Sequence, residues 1–254
     1  MAQHRLTTFF TLALACGVAG AAGTASCEAR STAVAPTVVE LYTSEGCSSC
    51  PPADRWLSTL KGRGDVLPLA FHVTYWDRLG WPDRFATPEG TARQHELARL
   101  AGSNSVYTPQ VVAGGRDWRD WPKLPQQLEL SKAGGAAPAS AVSVTVSREG
   151  DIVTATVAPN QAGSLSALPA LSGYWAVVED GHQSKVRAGE NAGETLNHDH
   201  VVRLYQPVPA WPAADGGKAV LKVSRGVAEN PRRVVFVVTD ATTRRPLQAV
   251  ALGC

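Results

Sequence analysis

Two cysteines separated by two serines, Cys47-Ser48-Ser49-Cys50, are the residues whose type and spacing most directly imply chemistry. Two intervening residues keep a pair of sulfurs within bridging distance. A thiol at the start of a helix feels the partial positive charge of unpaired amides, which favours the thiolate, the form that attacks disulfides. Cys47 is therefore the candidate attacking sulfur and Cys50 the resolving one in thiol–disulfide exchange. Three further features support that reading. Glu40 is a carboxylate inside the apolar run VVELY, upstream of Cys47, where burial would raise its pKa toward a proton-transfer role for Cys50. Thr108-Pro109 opens a strand after a helix, where a cis proline would set backbone beside the bridge and an extended substrate could pair. Tyr75, Trp76 and Asp77 follow an apolar strand, at the carboxyl edge where open α/β sheets place their sites, and with Thr108 are the candidate substrate contacts.

The elements that must position these residues are readable around them. Val38 to Tyr42 is a buried strand, and Ala53, Trp56, Leu57 and Leu60 follow the i, i+3, i+4, i+7 rule of a helix. Pro51 and Pro52 are tolerated in a first helical turn, whose amides have no intrahelical partner, so the helix starts at or just after Cys47. Val66 to Val73 reads as a second strand. Thr87 as N-cap, Pro88 behind it, an apolar face through Leu97, Leu100 and Ala101, and Gly102 past the end predict a second helix. A short strand Gln110 to Ala113, a Gly114-Gly115 turn and a weaker helix over Asp120 to Ser131 complete the segment. Strand alternating with helix predicts an α/β unit whose first two strands are parallel. Beyond the small-residue stretch AGGAAPAS the pattern changes to alternation of period two. AVSVTVS, DIVTATVA, YWAVVED, HVVRLYQ, KAVLKVS and VVFVVTD predict an antiparallel, sandwich-like module.

The chain has 254 residues, a hydrophobic fraction of 44%, a charged fraction of 18% and a net charge of +2, which excludes global disorder and carries no nucleic-acid signature. Arg5 followed by LTTFFTLALACGVAGAAGTAS has the charged start, apolar centre and small-residue end of a secretory signal peptide, so the mature chain is expected to be exported, periplasmic or secreted, with no stable membrane span after its removal. Export places the cysteines in an oxidising compartment. Cys27 and Cys254, near the two chain ends, are candidates for a second bridge, the alternative being a free C-terminal thiol. No phosphate-binding Gly-rich loop, GxSxG elbow or HExxH is present.

VVELYTSEGCSSCPPAD, FHVTYWDRLGWPDRFATPEGTARQ and SVYTPQVVAGG, together with VRAGENAGETLNHDHVVR in the C-terminal part, resemble the secreted thioredoxin-like family catalogued as domain of unknown function 1223. The resemblance implies a thioredoxin-like fold, a Cys47/Cys50 redox pair, and Pro109 in the place of the thioredoxin cis proline; it supplies no substrate. Ser-Ser between the cysteines, in place of the Gly-Pro of ordinary thioredoxins, and an aromatic-rich Tyr75 to Phe85 segment depart from thioredoxins. The resulting expectation is a signal peptide over 1–26, a thioredoxin-like α/β domain over 36–132, a linker over 133–140 and a β-rich, antiparallel sandwich-like domain over 141–254. The expected function is thiol–disulfide exchange with protein or small-molecule thiols and disulfides, with no cofactor, no metal and no nucleic acid. Two rivals stand beside it. One is a secreted binding module with the β-rich domain as its interaction surface and a purely structural Cys47/Cys50 bridge; separately, Trp76, Trp81 and Phe85 read as a local core under a long connection in preference to a groove for extended polypeptide. The other is a soft-metal carrier, for which His72, His95, His198 or His200 would have to converge on the two sulfurs; His198-Asp199-His200 itself reads as a solvated polar turn.

Overall fold

The structure, a computed structural model, describes residues 27–133, 138–160, 168–225 and 230–254; the expected signal peptide and the middle of the expected linker lie outside them. Strand β1 (Cys27–Arg30) is followed by β2 (Thr37–Thr43), whose alternation is two-sided. Val39 and Leu41 face one core, while Val38 and Tyr42 face another. Helix α1 (Pro51–Ser58) begins on two prolines with Cys50 as its N-cap residue, and buries Ala53, Asp54 and Leu57. It leads into β3 (Val66–His72), parallel to β2 from Thr37↔Val66 to Thr43↔His72.

A 3₁₀ turn over Thr74–Leu79 precedes α2 (Pro88–Leu100). Thr87 caps α2 by accepting the amide of Gly90 at 3.0 Å, and Pro88 occupies a first-turn position whose missing N–H costs nothing. Strand β4 (Gln110–Ala113) returns antiparallel to β2, and the left-handed Gly114-Gly115 pair turns it into the short β5 (Arg116–Asp117), ahead of α3 (Leu124–Ala133).

The remainder is strand: β6 (Val142–Glu149), β7 (Ile152–Pro159), β8 (Ala170–Glu179), β9 (His182–Lys185), β10 (Thr195–His198), β11 (Val201–Pro212), β12 (Gly217–Lys222), β13 (Arg232–Asp240) and β14 (Pro246–Leu252). The six segments read as strands from their alternation all form strands. Short or edge strands β1, β5, β9 and β10, and the terminal β14, were not legible.

These strands join in the orders β1-β6-β7-β12, β10-β9 and β14-β13-β8-β11-β3-β2-β4-β5. The last order corrects the expected architecture. A thioredoxin-like α/β domain followed by a β-rich domain would keep β2, β3 and β4 in a sheet separate from the C-terminal strands; instead the chain is rich in strand, and β2 and β3 are interior members of one eight-stranded mixed sheet that runs on through β11, β8, β13 and β14. The splice is parallel pairing of Val201 with Ala70, reinforced by the Ala70 amide donating to the His200 carbonyl at 2.8 Å. Period-two alternation shows that a strand has a buried face, but not which neighbour takes its edge, and so the sequence reading closed each sheet within its own segment.

The four-stranded sheet covers one part of the large sheet, enclosing Val146, Val153, Leu171, Trp175, Phe236 and Leu252; the Trp175 and Phe236 rings lie 4.5 Å apart. A disulfide joins Cys27 to Cys254, with Cα atoms 6.6 Å apart, tying β1 to the segment after β14.

Candidate active site at the Cys47–Cys50 bridge

Cys47 and Cys50 are bonded to each other, with Cα atoms 5.4 Å apart. The bridge sits where β2 ends and α1 begins, because the chain makes two successive turns there: the Cys47 amide donates to the Ser44 carbonyl and the Cys50 amide to the Cys47 carbonyl, each at 3.1 Å. Gly46, inside the first turn, packs closely on Trp76: a Cβ there would stand 3.2 Å from the Trp76 Cβ and push it by a few tenths of an ångström. Both cysteines are fully buried, whereas Ser48 and Ser49 are exposed.

The backbone of the CxxC turn is held by residues from far along the chain. Between β9 and β10, Glu190 accepts from the Ser48 amide at 3.0 Å and from its hydroxyl at 2.7 Å, and Asn191 donates to the carbonyls of Glu45 at 2.8 Å and Cys47 at 3.0 Å. Asn191 is buried, so these two bonds are its anchorage. The segment over 186–194 is thus a strap across the CxxC turn.

Close to the bridge lies a buried polar cluster, of which the sequence reading named His72 and His198 as possible metal ligands but missed Glu45, Asp54 and Asp83. Asp54 is on the buried face of α1. His72, at the end of β3, has its Nδ1 2.6 Å from Asp83 Oδ2, and His198 of β10 has its Nε2 3.2 Å from Glu45 Oε1. The two imidazoles meet edge to face at 5.0 Å. Burial pushes the Asp54 carboxyl up, offset only in part by the charges of His198 and His72 and by the Thr43 hydroxyl. Burial would likewise raise Asp83, but the His72 charge and hydrogen bond and the amides of Glu45 and Phe85 bring it down to about 2. His72 would be lowered by burial, yet Asp83 raises it. Burial also works to raise Glu45, and its polar neighbours, His198 with Nε2 3.2 Å from Oε1 first and then Ser184 and the Trp81 hydrogen bond, lower it instead. The i, i+4 spacing of Cys50 and Asp54 was the available signal for Asp54; nothing local marked His198, which is buried rather than in a solvated turn.

The residues singled out from sequence are distributed unevenly around this site. Trp76 abuts Gly46, and its Nε1 donates to the Thr108 hydroxyl at 2.7 Å, so Trp76 and Thr108 flank the CxxC turn together. The Thr108-Pro109 peptide is cis. Tyr75 turns toward α2, its hydroxyl donating to Gln94 at 3.2 Å, and burial raises its pKa. Asp77 accepts the Asp83 amide at 3.1 Å and shapes the loop that presents Asp83. Trp81 donates to Glu45 at 2.7 Å, and Phe85 meets His72 and His198 edge to face, so both belong to the wall of the buried cluster.

Glu40 is elsewhere. It lies on β2 in register with Val38 and Tyr42, on the face away from α1, and accepts from Arg93 at 2.9 Å, Tyr42 at 2.6 Å and Tyr174 at 2.8 Å. Burial would raise its carboxyl, as the sequence suggested, but the Arg93 charge and hydrogen bond, with those of the two tyrosines, lower it. Its alternation on the strand, not its distance from Cys47 in sequence, decides this.

Among the described residues no group of three or more His, Cys, Asp or Glu side chains is arranged to hold a metal ion. The family model described as "Protein of unknown function (DUF1223)" matches residues 38–239. The chain belongs to this family. The match takes in β2, the CxxC turn, the strap and the buried cluster alike. A crystal structure of a protein from Agrobacterium tumefaciens resembles this DUF1223 chain with a TM-score of 0.66 at 29% identity, covering 86% of this chain and 94% of that one. HBP35 of Porphyromonas gingivalis has a similar fold, with a TM-score of 0.62 at 14% identity over 88% of this chain and 76% of that one. No curated protein sequence matches significantly. Two disulfides fit an exported protein. No helix among the described residues is long and apolar enough to cross a membrane.

Proposed function

We propose that this DUF1223 protein is an exported, periplasmic or secreted, thiol–disulfide exchange protein. Cys47 forms and breaks the mixed disulfide with a partner, and Cys50 closes or opens the internal bridge. The observation that carries this reading is the contrast between the two disulfides. In the chain-entropy picture a bridge with sequence separation 227 stabilises the fold by about 5 kcal/mol, and one with separation 3 by only about 2 kcal/mol. The Cys27–Cys254 bridge is therefore the staple, and the short bridge at the start of α1 has a chemical role.

In that role Cys47, the outer cysteine of the turn, is the attacking sulfur; the start of α1 adds no free amide to it, because Pro51 and Pro52 carry no N–H and the Ala53 and Asp54 amides donate to the Cys50 carbonyl. Trp76 packs against Gly46 of the turn and bonds Thr108, so Trp76, Thr108 and the adjoining Pro109 would meet the partner polypeptide. The buried sulfurs impose a condition: the 186–194 strap must lift before a partner reaches Cys47.

That same burial favours a second reading, a secreted binding module whose Cys47–Cys50 bridge only fixes the start of α1. The reduction potential separates the two. Mature protein is equilibrated in glutathione buffers, thiols are trapped, and alkyl groups are counted by mass. A value above about −230 mV is expected of an exchange-active pair; a value below about −300 mV makes the bridge structural. Cys47→Ser is expected to abolish turnover of a disulfide substrate.

A further inference from the structure

Resting on the exchange reading, we propose that Asp54 is the group that passes a proton to Cys50 when the bridge is reduced and takes it back when the bridge re-forms.

The placement comes from helix geometry. Asp54 follows Cys50 by one turn, and its amide donates to the Cys50 carbonyl at 3.1 Å. Residues four apart lie on one face with Cβ atoms about 5–6 Å apart. Helical side chains also lean back over the preceding turn, which for Asp54 is the turn that begins at Cys50. Both residues are on the buried face of α1. Glu40 cannot take this part, because it lies across the sheet and is held by Arg93.

The groups facing Asp54 make it suitable. They are His198 on β10, His72 on β3, Thr43 on β2 and Asp83 in the loop after the 3₁₀ turn, with Glu45 behind His198. Burial holds the Asp54 carboxyl in its protonated form to a higher pH than an exposed aspartate, giving it a proton to supply.

In the reducing direction, a partner thiolate attacks Cys47 Sγ. The Cys47–Cys50 bond breaks, its electron pair stays on Cys50 Sγ, and Asp54 gives that sulfur its proton. The negative charge thereby moves from sulfur to the Asp54 carboxylate, beside the imidazoles of His72 and His198. In the oxidising direction, Asp54 carboxylate removes the Cys50 proton. The Cys50 thiolate attacks Cys47 Sγ of the mixed disulfide, and the partner leaves as its thiolate. His198, from the C-terminal part of the chain, thus helps stabilise the anion that the CxxC chemistry creates.

The test isolates the Cys50 step. Reduced protein is loaded on Cys47 with thionitrobenzoate, and release of the coloured thiolate by Cys50 is followed against pH in wild type, Asp54→Asn and Asp54→Glu. Asp54→Asn is expected to slow release ~100-fold near neutral pH, the loss fading at alkaline pH where Cys50 ionises unaided, and Asp54→Glu to recover part of the rate. Wild-type release with an unchanged Asp54→Asn pH profile overturns the proposal and leaves the exchange reading standing. A wild-type adduct that never releases the label overturns both. A measurement on wild type alone guards against a misfolded variant: the Asp54 carboxyl carbon is titrated by NMR in oxidised and reduced protein. Different titrations in the two states support the proposal, and identical ones overturn it.

Discussion

Glu190 Oε2 accepts from both the backbone amide and the hydroxyl of Ser48, so a carboxylate from the β9–β10 connection is seated between the two cysteines of a bridge 142 residues upstream. Together with Asn191 on the carbonyls of Glu45 and Cys47, it fixes the turn that carries two buried sulfurs and two exposed serines.

Loosening this latch should expose the bridge. Glu190→Gln and Asn191→Ala are expected to speed reduction of Cys47–Cys50 by a water-soluble phosphine several-fold, measured by quenching with an alkylating agent and weighing the protein. The Ser48 amide, and then its hydroxyl, lower the Glu190 pKa. A carboxylate lowered on folding contributes above its ordinary range and loses that contribution as pH falls through the lowered value. The difference between wild type and Glu190→Gln should therefore be present at neutral pH and vanish in acid. Equal rates at neutral pH would show that the strap does not limit access.

The Glu40–Arg93 pair carries a stability prediction instead. Both side chains are almost wholly buried, the guanidinium lies 4.8 Å from the centre of the Tyr174 ring, and the contacts join β2 and α2 to β8. Removing one partner strands a buried charge. Arg93→Met and Glu40→Gln are expected to cost about 3–5 kcal/mol each in urea unfolding. The double variant Glu40→Met/Arg93→Met should recover part of that loss. With the Glu40 pKa lowered on folding, the pair's contribution holds above the ordinary carboxylate range and falls away as pH drops through its lowered value.

How far the sequence could be read follows from how local each feature is. The CxxC turn, the proline start of α1, the Thr87 cap of α2 and the alternation of β6, β7 and β13 depend on neighbours within a few residues, and each forms as read. Cys27 and Cys254 could be named as candidates, but their pairing needed the fold. The eight-stranded sheet was hidden because it turns on one strand edge, Ala70 beside Val201. Glu40 was assigned to the bridge by proximity in sequence, whereas alternation sends it to the other face. His198, Glu190 and Asn191 reach the bridge from the C-terminal half through contacts that leave no local pattern.

The His72–Asp83 pair gives a pH window with two edges. Asp83 is brought down to about 2, so its contribution exists above the ordinary aspartate range and is lost as pH falls toward about 2. His72 is raised, so its contribution is full below the ordinary histidine pKa and is lost as pH rises through its folded value. Asp83→Asn is expected to destabilise by about 3–5 kcal/mol between those edges and by less on the alkaline side, where His72 is neutral in wild type as well. Unfolding curves at several pH values check the first part. The His72 imidazole titration by NMR, expected to shift down in the variant, checks the second.

The two disulfides should separate in their effect on unfolding. If Cys27–Cys254 is the staple, Cys27→Ser/Cys254→Ser loses the constraint on a sequence separation of 227, and at about 5 kcal/mol a domain of this size should melt about 10–20 °C lower. Cys47→Ser/Cys50→Ser relaxes a separation of only 3, about 2 kcal/mol, and should melt about 4–8 °C lower while keeping the same near-ultraviolet circular dichroism. Scanning calorimetry of the two variants makes the comparison directly. A loss from the Cys47/Cys50 variant as large as that from the Cys27/Cys254 variant would mean that the short bridge holds the start of α1 and the strap together, which is what a structural bridge requires and what a bridge kept for exchange does not.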